Sequence, residues 1–211
     1  YLPQLLTSVS EDEIIALIAA EPGAWSGQEK HDGERRGMRV EAGKITSANR
    51  RGLEVPTRKE YDPVIARLAE RGLTDFEIDC EDMGSHLAIF DVLSIDGEDL
   101  RGLSFEERKS HLDKLEALIA KAGQNDKLRV TTTWVNLTTE LAREIIANFR
   151  EKKAEGVVFK RNDAAYTPGK PASGGTQRKL KFTADATVRV AAQSDGKRSV
   201  TMEVLDGETW V

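Results

Sequence analysis

The sequence predicts an α+β fold of two mainly antiparallel or mixed sheets flanked by helices, and three observations carry that expectation. Four segments place apolar residues at helical spacing between recognisable start and stop signals. Several runs of alternating or β-branched residues come as neighbouring strands across short turns. At 211 residues, 39% hydrophobic and 32% charged, the chain is long enough for one or two domains that bury about two-thirds of the unfolded surface.

In order, Glu11 to Ala20 reads as a short amphipathic helix with Ser10 as N-cap, acids in its first turn and Pro22-Gly23 after its end. Gly37-Met38-Arg39-Val40 and Lys44-Ile45-Thr46 read as strands joined at Glu41-Ala42-Gly43, and Asn49-Arg50-Arg51-Gly52 as a polar loop. Lys59 to Arg71 is predicted helical, with Val64, Ile65 and Leu68 inward and Gly72 as the stop. Phe76 to Cys80 and Leu87 to Ile95 are expected as neighbouring strands across a turn at Asp82-Met83-Gly84-Ser85. Ser104 and Glu107 form a capping box that opens a helix to about Lys121. Leu128 to Thr132 reads as a strand, and Thr138 to Glu151 as a helix capped by Thr138 or Thr139.

Glu155 to Lys160 reads as a buried strand with a carboxylate at one end and a cation at the other. Tyr166 to Thr176, rich in Gly, Pro and Ser, is expected to be a flexible loop. Strand alternation around Lys179-Leu180-Lys181 puts both ammonium groups on one face and Leu180 on the other, a placement that suits an anion. Thr187 to Ala192 and Ser199 to Leu205 read as strands around a turn at Asp195-Gly196. The lack of an initiator Met and the stop at Val211 in mid-pattern are what a fragment would show.

No apolar run is long enough to span a membrane, and Leu5 to Ala20 is too broken by acids to be a signal peptide. A single cysteine, Cys80, excludes an internal disulfide framework and suits a reducing, intracellular compartment. The net charge of −5 argues against a wholly basic nucleic-acid binder but allows local basic strips. Four are visible: Arg35, Arg36 and Arg39; Arg50, Arg51, Arg58 and Lys59; Lys160 and Arg161; Arg178, Lys179 and Lys181.

Gln28 to Arg35 places a lysine, an acid, a glycine and an arginine close enough to act on one phosphate. A lysine amine attacks phosphorus only when deprotonated, so a nucleophilic Lys30 needs an environment of partial desolvation or neighbouring cations. Asp32 is placed to position or deprotonate that amine, Gly33 allows a tight approach, and the Arg35 fork matches phosphate or ribose oxygens. The same Asp-Gly pair also reads as an ordinary hairpin turn. His31, His86 and His111 show no metal-ligand spacing.

Taken in order, Lys30-His31-Asp32-Gly33-Glu34-Arg35, Asn49-Arg50-Arg51-Gly52, Asp79-Cys80-Glu81, Phe90-Asp91, Glu155-Gly156-Val157-Val158-Phe159-Lys160 and Lys179-Leu180-Lys181 resemble the nucleotidyltransferase motifs of the ATP-dependent DNA ligases, RNA ligases and mRNA capping enzymes. The resemblance runs from about residue 25 to 185. It implies the ATP-grasp-like ligase nucleotidyltransferase fold over residues 1–185, with residues 186–211 as the start of a truncated OB-fold domain.

The resemblance further implies that Lys30 attacks the α-phosphate of ATP and holds AMP as a phosphoramidate. Gln28 and Glu29 would lie at the nucleotide, Gln28 at the adenine edge. Arg35 would meet the ribose or a nucleic-acid 5'-phosphate, and Arg50 that 5'-phosphate. Glu81 would hold the ribose hydroxyls, Phe90 would stack on adenine, Glu155 and Glu81 would serve Mg²⁺, and Lys179 and Lys181 would neutralise the α-phosphate. The cofactors implied are ATP and Mg²⁺, and the partner is nicked duplex DNA engaged by a monomer in a bacterial or phage-like cytoplasm or nucleoid. An RNA ligase, a GTP-using capping enzyme and a non-catalytic nucleic-acid-binding relative are the alternatives. Cys80 departs from the family pattern, which has glycine there.

Overall fold

The computed structural model describes residues 1–123, 126–182, 187–193 and 200–211. In chain order these form β1 (Thr7–Ser8), α1 (Glu11–Ala20), β2 (Trp25–Lys30), β3 (Glu34–Glu41), β4 (Lys44–Asn49), β5 (Glu54–Val55), α2 (Asp62–Ala69), β6 (Phe76–Asp82), β7 (Leu87–Ile95), β8 (Glu98–Asp99) and α3 (Phe105–Lys121). Then follow β9 (Leu128–Val130), β10 (Thr133–Trp134), α4 (Thr139–Glu151), β11 (Gly156–Arg161), β12 (Gln177–Lys181), β13 (Val188–Gln193), β14 (Val200–Asp206) and β15 (Thr209–Trp210).

Two helices begin where their capping boxes dictate: Ser10 with Glu13, and Ser104 with Glu107, each exchange reciprocal bonds between side chain and backbone. The helix expected from Lys59 differs. Residues Lys59–Tyr61 form a separate 3₁₀ turn and α2 starts at Asp62, because Pro63 has no N–H to return to Lys59 and is tolerated only in a first turn.

Among the described residues there are three sheets. The first runs β1-β12-β11-β2-β10; the second runs β5-β4-β3-β6-β7-β8 with β9 parallel on β7; the third is β13-β14-β15. The chain divides into two compact units, Tyr1–Lys181 and Phe182–Val211. The predicted turn at Asp195-Gly196 lies outside the described residues. Within the larger unit, α2 and α3 cover the second sheet, joining Val64, Ile65, Leu68, Leu112, Leu115 and Ile119 to Met38, Ile78, Cys80 and Ile89 in one apolar core. Helix α4 packs on β2 and β11 of the first sheet and α1 packs on α4, and a Cβ on Gly27 of β2 would be in van der Waals contact with Leu137, just before α4, and reach Ile145 within it. The expected α+β arrangement of largely antiparallel sheets and flanking helices is therefore found.

The stretch after Tyr166 is not a free loop at its start. Tyr166 is buried, its hydroxyl donates to Asp79 Oδ2 (2.7 Å) and accepts from the Gln4 N–H (2.9 Å), and Gly169 exchanges backbone bonds with Pro3 and Leu5. Composition alone predicts mobility here; a distant N-terminal stretch removes it.

Candidate active site

The Lys30-to-Arg35 motif is a link between sheets, not a hairpin. β2 pairs with β11 and β10, whereas β3 pairs with β4 and β6, so the chain leaves one sheet at Lys30 and enters the other at Glu34. Gly33 makes the crossing possible: a Cβ there would lie 2.5 Å from the Asp82 carbonyl oxygen.

Register builds the first wall of the groove. Lys30 pairs with Gly156, which pairs with Lys181; two residues back, Gln28 pairs with Val158, which pairs with Lys179. Side chains in such rows share a face, so an amide, an apolar side chain and three ammonium groups line one side of the sheet. Gly156 leaves no side chain between the two lysines, since a Cβ there would collide with the Leu180 carbonyl. Glu155, just before β11, receives one oxygen's bond from Lys30 Nζ and the other's from Lys181 Nζ (2.7 Å). Burial pushes the Glu155 carboxyl up, but hydrogen bonds from Lys181 and Lys30 outweigh it and hold the group below its usual range. Lys179 is pulled below the usual lysine range by burial and by the charges of Lys181, Lys30 and Arg50.

The second sheet supplies the opposite wall. Arg35 and Glu81 are register partners, and Gly37 pairs with Asp79 in the next row. Burial raises the Glu81 carboxyl to about 7 against the opposing pull of Arg35 and Lys30. The Arg35 guanidinium forks onto Asp79 (Nε–Oδ1 2.8 Å, Nη2–Oδ2 2.5 Å) and lies 4.9 Å from the centre of the Phe90 ring. Asp79 also accepts from the hydroxyls of Tyr1 (2.6 Å) and Tyr166.

At the floor, side chains of the first sheet reach the second. Gln28 is buried and its Nε2 donates to the Phe90 carbonyl (3.3 Å) and to Thr133 Oγ1 (2.8 Å), while its Oε1 is buried with no partner. Lys160 is only 2% exposed; its Nζ donates to the Phe90 carbonyl (2.7 Å) and Asp91 Oδ2 (3.2 Å), and burial lowers its pKa to about 8 despite Asp91. Arg108 forks onto the same Asp91 (2.8 and 3.1 Å).

Of the residues predicted from sequence, Gln28, Lys30, Glu155, Lys179 and Lys181 converge on one face, Arg50 lies within the field of Lys179, and Glu81, Arg35 and Phe90 belong to the facing sheet. Asp32 does not join them: it is exposed in the link, and the carboxylate on the Lys30 amine is Glu155. Glu29 alternates away from Gln28 and Lys30 and sits 4.0 Å from His31. The Lys160–Arg161 pair is no surface strip, because Lys160 points inward to Asp91 while Arg161 binds Glu21 and Asp163. Sequence reasoning missed Lys160, Asp91 and Arg108 as a unit, and Val158; two-residue spacing from Gly156 places both Val158 and Lys160 on the groove face.

Among the described residues no three His, Cys, Asp or Glu side chains converge as a metal site. Both Glu155 oxygens already face ammonium groups, so Glu155 and Glu81 fit Mg²⁺ only together with phosphate oxygens, the usual manner for that ion.

Known proteins share this fold and part of this sequence. A family model described as "ATP dependent DNA ligase domain" matches residues 81–181. A probable DNA ligase of Streptomyces coelicolor is 36% identical over 112 residues, 52% of this chain and 20% of that protein. The multifunctional non-homologous end joining protein LigD of Pseudomonas aeruginosa is 29% identical over 176 residues, 73% of this chain and 20% of its own length. The chain thus spans about a fifth of these relatives. A mycobacterial DNA ligase D solved with ATP and MES superposes with a TM-score of 0.64 at 23% identity, covering 96% of this chain and 67% of that one. The ATP-dependent DNA ligase of bacteriophage T7, solved with ATP, gives 0.58 at 16% identity, covering 99% and 79%.

The fold is therefore that of these solved ATP-dependent DNA ligases, and residues 81–181 are similar to the ATP-dependent DNA ligase domain.

Proposed function

We propose that this chain is the self-adenylating part of an ATP-dependent, intracellular ligase that seals nicked duplex DNA. The observation that carries this reading is the Lys30–Glu155–Lys181 bridge with Lys179 one row away, facing a sheet that presents Glu81 and Arg35. Lys30 Nζ attacks the α-phosphorus of ATP; the bond to the leaving pyrophosphate breaks, its electrons depart with pyrophosphate, and a P–N bond forms. Glu155, already holding that amine, is the nearest acceptor for its proton. Lys179 and Lys181 offset charge on the α-phosphate as it develops. The unpartnered Gln28 Oε1 accepts from the 6-amino group of adenine, Phe90 offers a ring to stack on, and Glu81 accepts from the ribose hydroxyls.

Mg²⁺, held by Glu155 and Glu81 with phosphate oxygens, would neutralise phosphate charge. AMP then passes to a 5'-phosphate bound by Arg50 and Arg35, and a 3'-hydroxyl displaces it to close the nick. Residues 186–211 are read as the opening of a truncated OB-fold domain. Incubation with α-labelled ATP and Mg²⁺ tests the first step: acid-labile label on the protein is expected, lost in Lys30→Ala. Normal labelling of that variant, or none of the wild type, would overturn the assignment, and nicked DNA against nicked RNA separates the substrates.

A further inference from the structure

The pairing of β6 with β7 passes from Asp79–Asp91 directly to Cys80–Ile89, so Phe90 is an extra residue on β7, a bulge. A bulge leaves its residue unpaired and re-aims its side chain. The Phe90 carbonyl consequently finds its partners outside the β6–β7 ladder, in Lys160 Nζ and Gln28 Nε2. We propose that Lys160 is a specificity-determining positioning residue: by pinning the bulged Phe90 carbonyl it fixes which way the Gln28 amide faces, and so selects a nucleotide base bearing a 6-amino donor over one bearing a 6-keto acceptor. The proposal rests on the nucleotide reading above.

The orientation follows from the inventory of donors and acceptors. A carbonyl only accepts, so the Gln28 group facing the Phe90 carbonyl must be the NH₂. Thr133 Oγ1 spends its own proton on the Thr131 carbonyl (3.3 Å), so it too presents an acceptor to that NH₂. Both Gln28 protons are then committed and Oε1 is left as a buried acceptor, unpaired among the described residues. A donor on the ligand completes the set, whereas a keto oxygen would face it with repulsion and leave it unpaired.

Lys160 stands behind this lock rather than in the reaction. Its ammonium is bounded by Asp91 on one side and lies 5.3 Å from the centre of the Phe90 ring and 4.5 Å from that of Phe105. Asp91 is itself held by the Arg108 fork, and Arg108 donates to the Leu103 carbonyl at 2.7 Å. Each link is buried, and together they tie the bulge to the start of α3.

The test uses α,β-methylene ATP and α,β-methylene GTP, which bind but cannot transfer the nucleotidyl group, measured by calorimetry on the wild-type protein and on Lys160→Met. The wild type is expected to favour the adenine analogue. In Lys160→Met that preference should fall about tenfold to a hundredfold, because Gln28 is released to turn. Labelling of Lys30 at saturating ATP should stay within about threefold, as no reacting atom touches Lys160. Lys160→Gln, which restores a donor without the charge, should recover part of the preference. An equal weakening of both analogues, with the preference intact, would show that Lys160 only supports the fold and would overturn the proposal. Should Lys160→Met not fold, Asp91→Asn carries the same expectation at about threefold, and an unchanged preference there overturns it equally. A wild type that binds neither analogue and takes no label sinks the nucleotide reading itself, a result distinct from an unchanged preference on a protein that labels normally.

Discussion

Replacing Tyr166 with Phe removes one oxygen, and its consequence can be worked from two bonds. The hydroxyl donates to Asp79 Oδ2 and accepts from the Gln4 N–H, and both residues are under 5% exposed. A hydrogen bond to a charged group contributes about 1.5–3 kcal/mol net, and orphaning a buried N–H costs about 1–3 kcal/mol. Asp79 keeps Arg35 and the Tyr1 hydroxyl, so the low end of the first range applies. Together the two losses come to about 3 kcal/mol. Urea denaturation should show a lower midpoint with an unchanged slope, and thermal unfolding should shift down by about 6–12 °C for a chain of this size. A loss below about 1 kcal/mol would refute the claim that this hydroxyl fastens the segment after Tyr166 to the Arg35–Asp79 wall.

Glu155→Gln strips the carboxylate from between Lys30 and Lys181, and labelling with ATP should drop at least about a hundredfold while the folded protein persists by circular dichroism. Glu81 carries a pH signature: its folded pKa near 7 exceeds the unfolded 4.5, so the folded state binds the extra proton between those values. Stability should therefore fall as pH rises through that window, and Glu81→Gln should remove that component when unfolding is followed from pH 4 to pH 8. Nucleotide affinity should move the other way, rising as Glu81 ionises around pH 7, and a flat wild-type profile would count against its ribose role. Cys80 is fully buried and burial drives its thiol upward, so iodoacetamide should leave it unmodified until denaturant is added.

What the sequence made legible, it made legible through local chemistry. Ser10 with Glu13 and Ser104 with Glu107 announce their helices because a cap is satisfied within four residues. Lys179 and Lys181 share a face because strand alternation requires it. What stayed hidden depended on partners far along the chain. Asp32-Gly33 looks like a hairpin turn until β2 is seen to pair with β11, more than a hundred residues on. Lys160 looks like half of a surface strip because nothing local tells that a bulge at Phe90 frees a carbonyl for it. Tyr166 sits at the start of a Gly- and Pro-rich stretch whose composition describes its freedom in isolation and not its tether to Gln4.

Gly27 carries a consequence for the whole site. It lies in β2 between Ser26 and Gln28, with Leu137 and Ile145 of the helical layer against the place where a side chain would start. Sliding β2 by one position along β11 would swing Gln28 against Leu137 and Ile145 and hand the groove to Gly27 and Glu29. A bare position on the helix-facing side of the strand thus favours the frame that sends Gln28 and Lys30 to the other side, since a glutamine side chain there would have to displace Leu137 and Ile145.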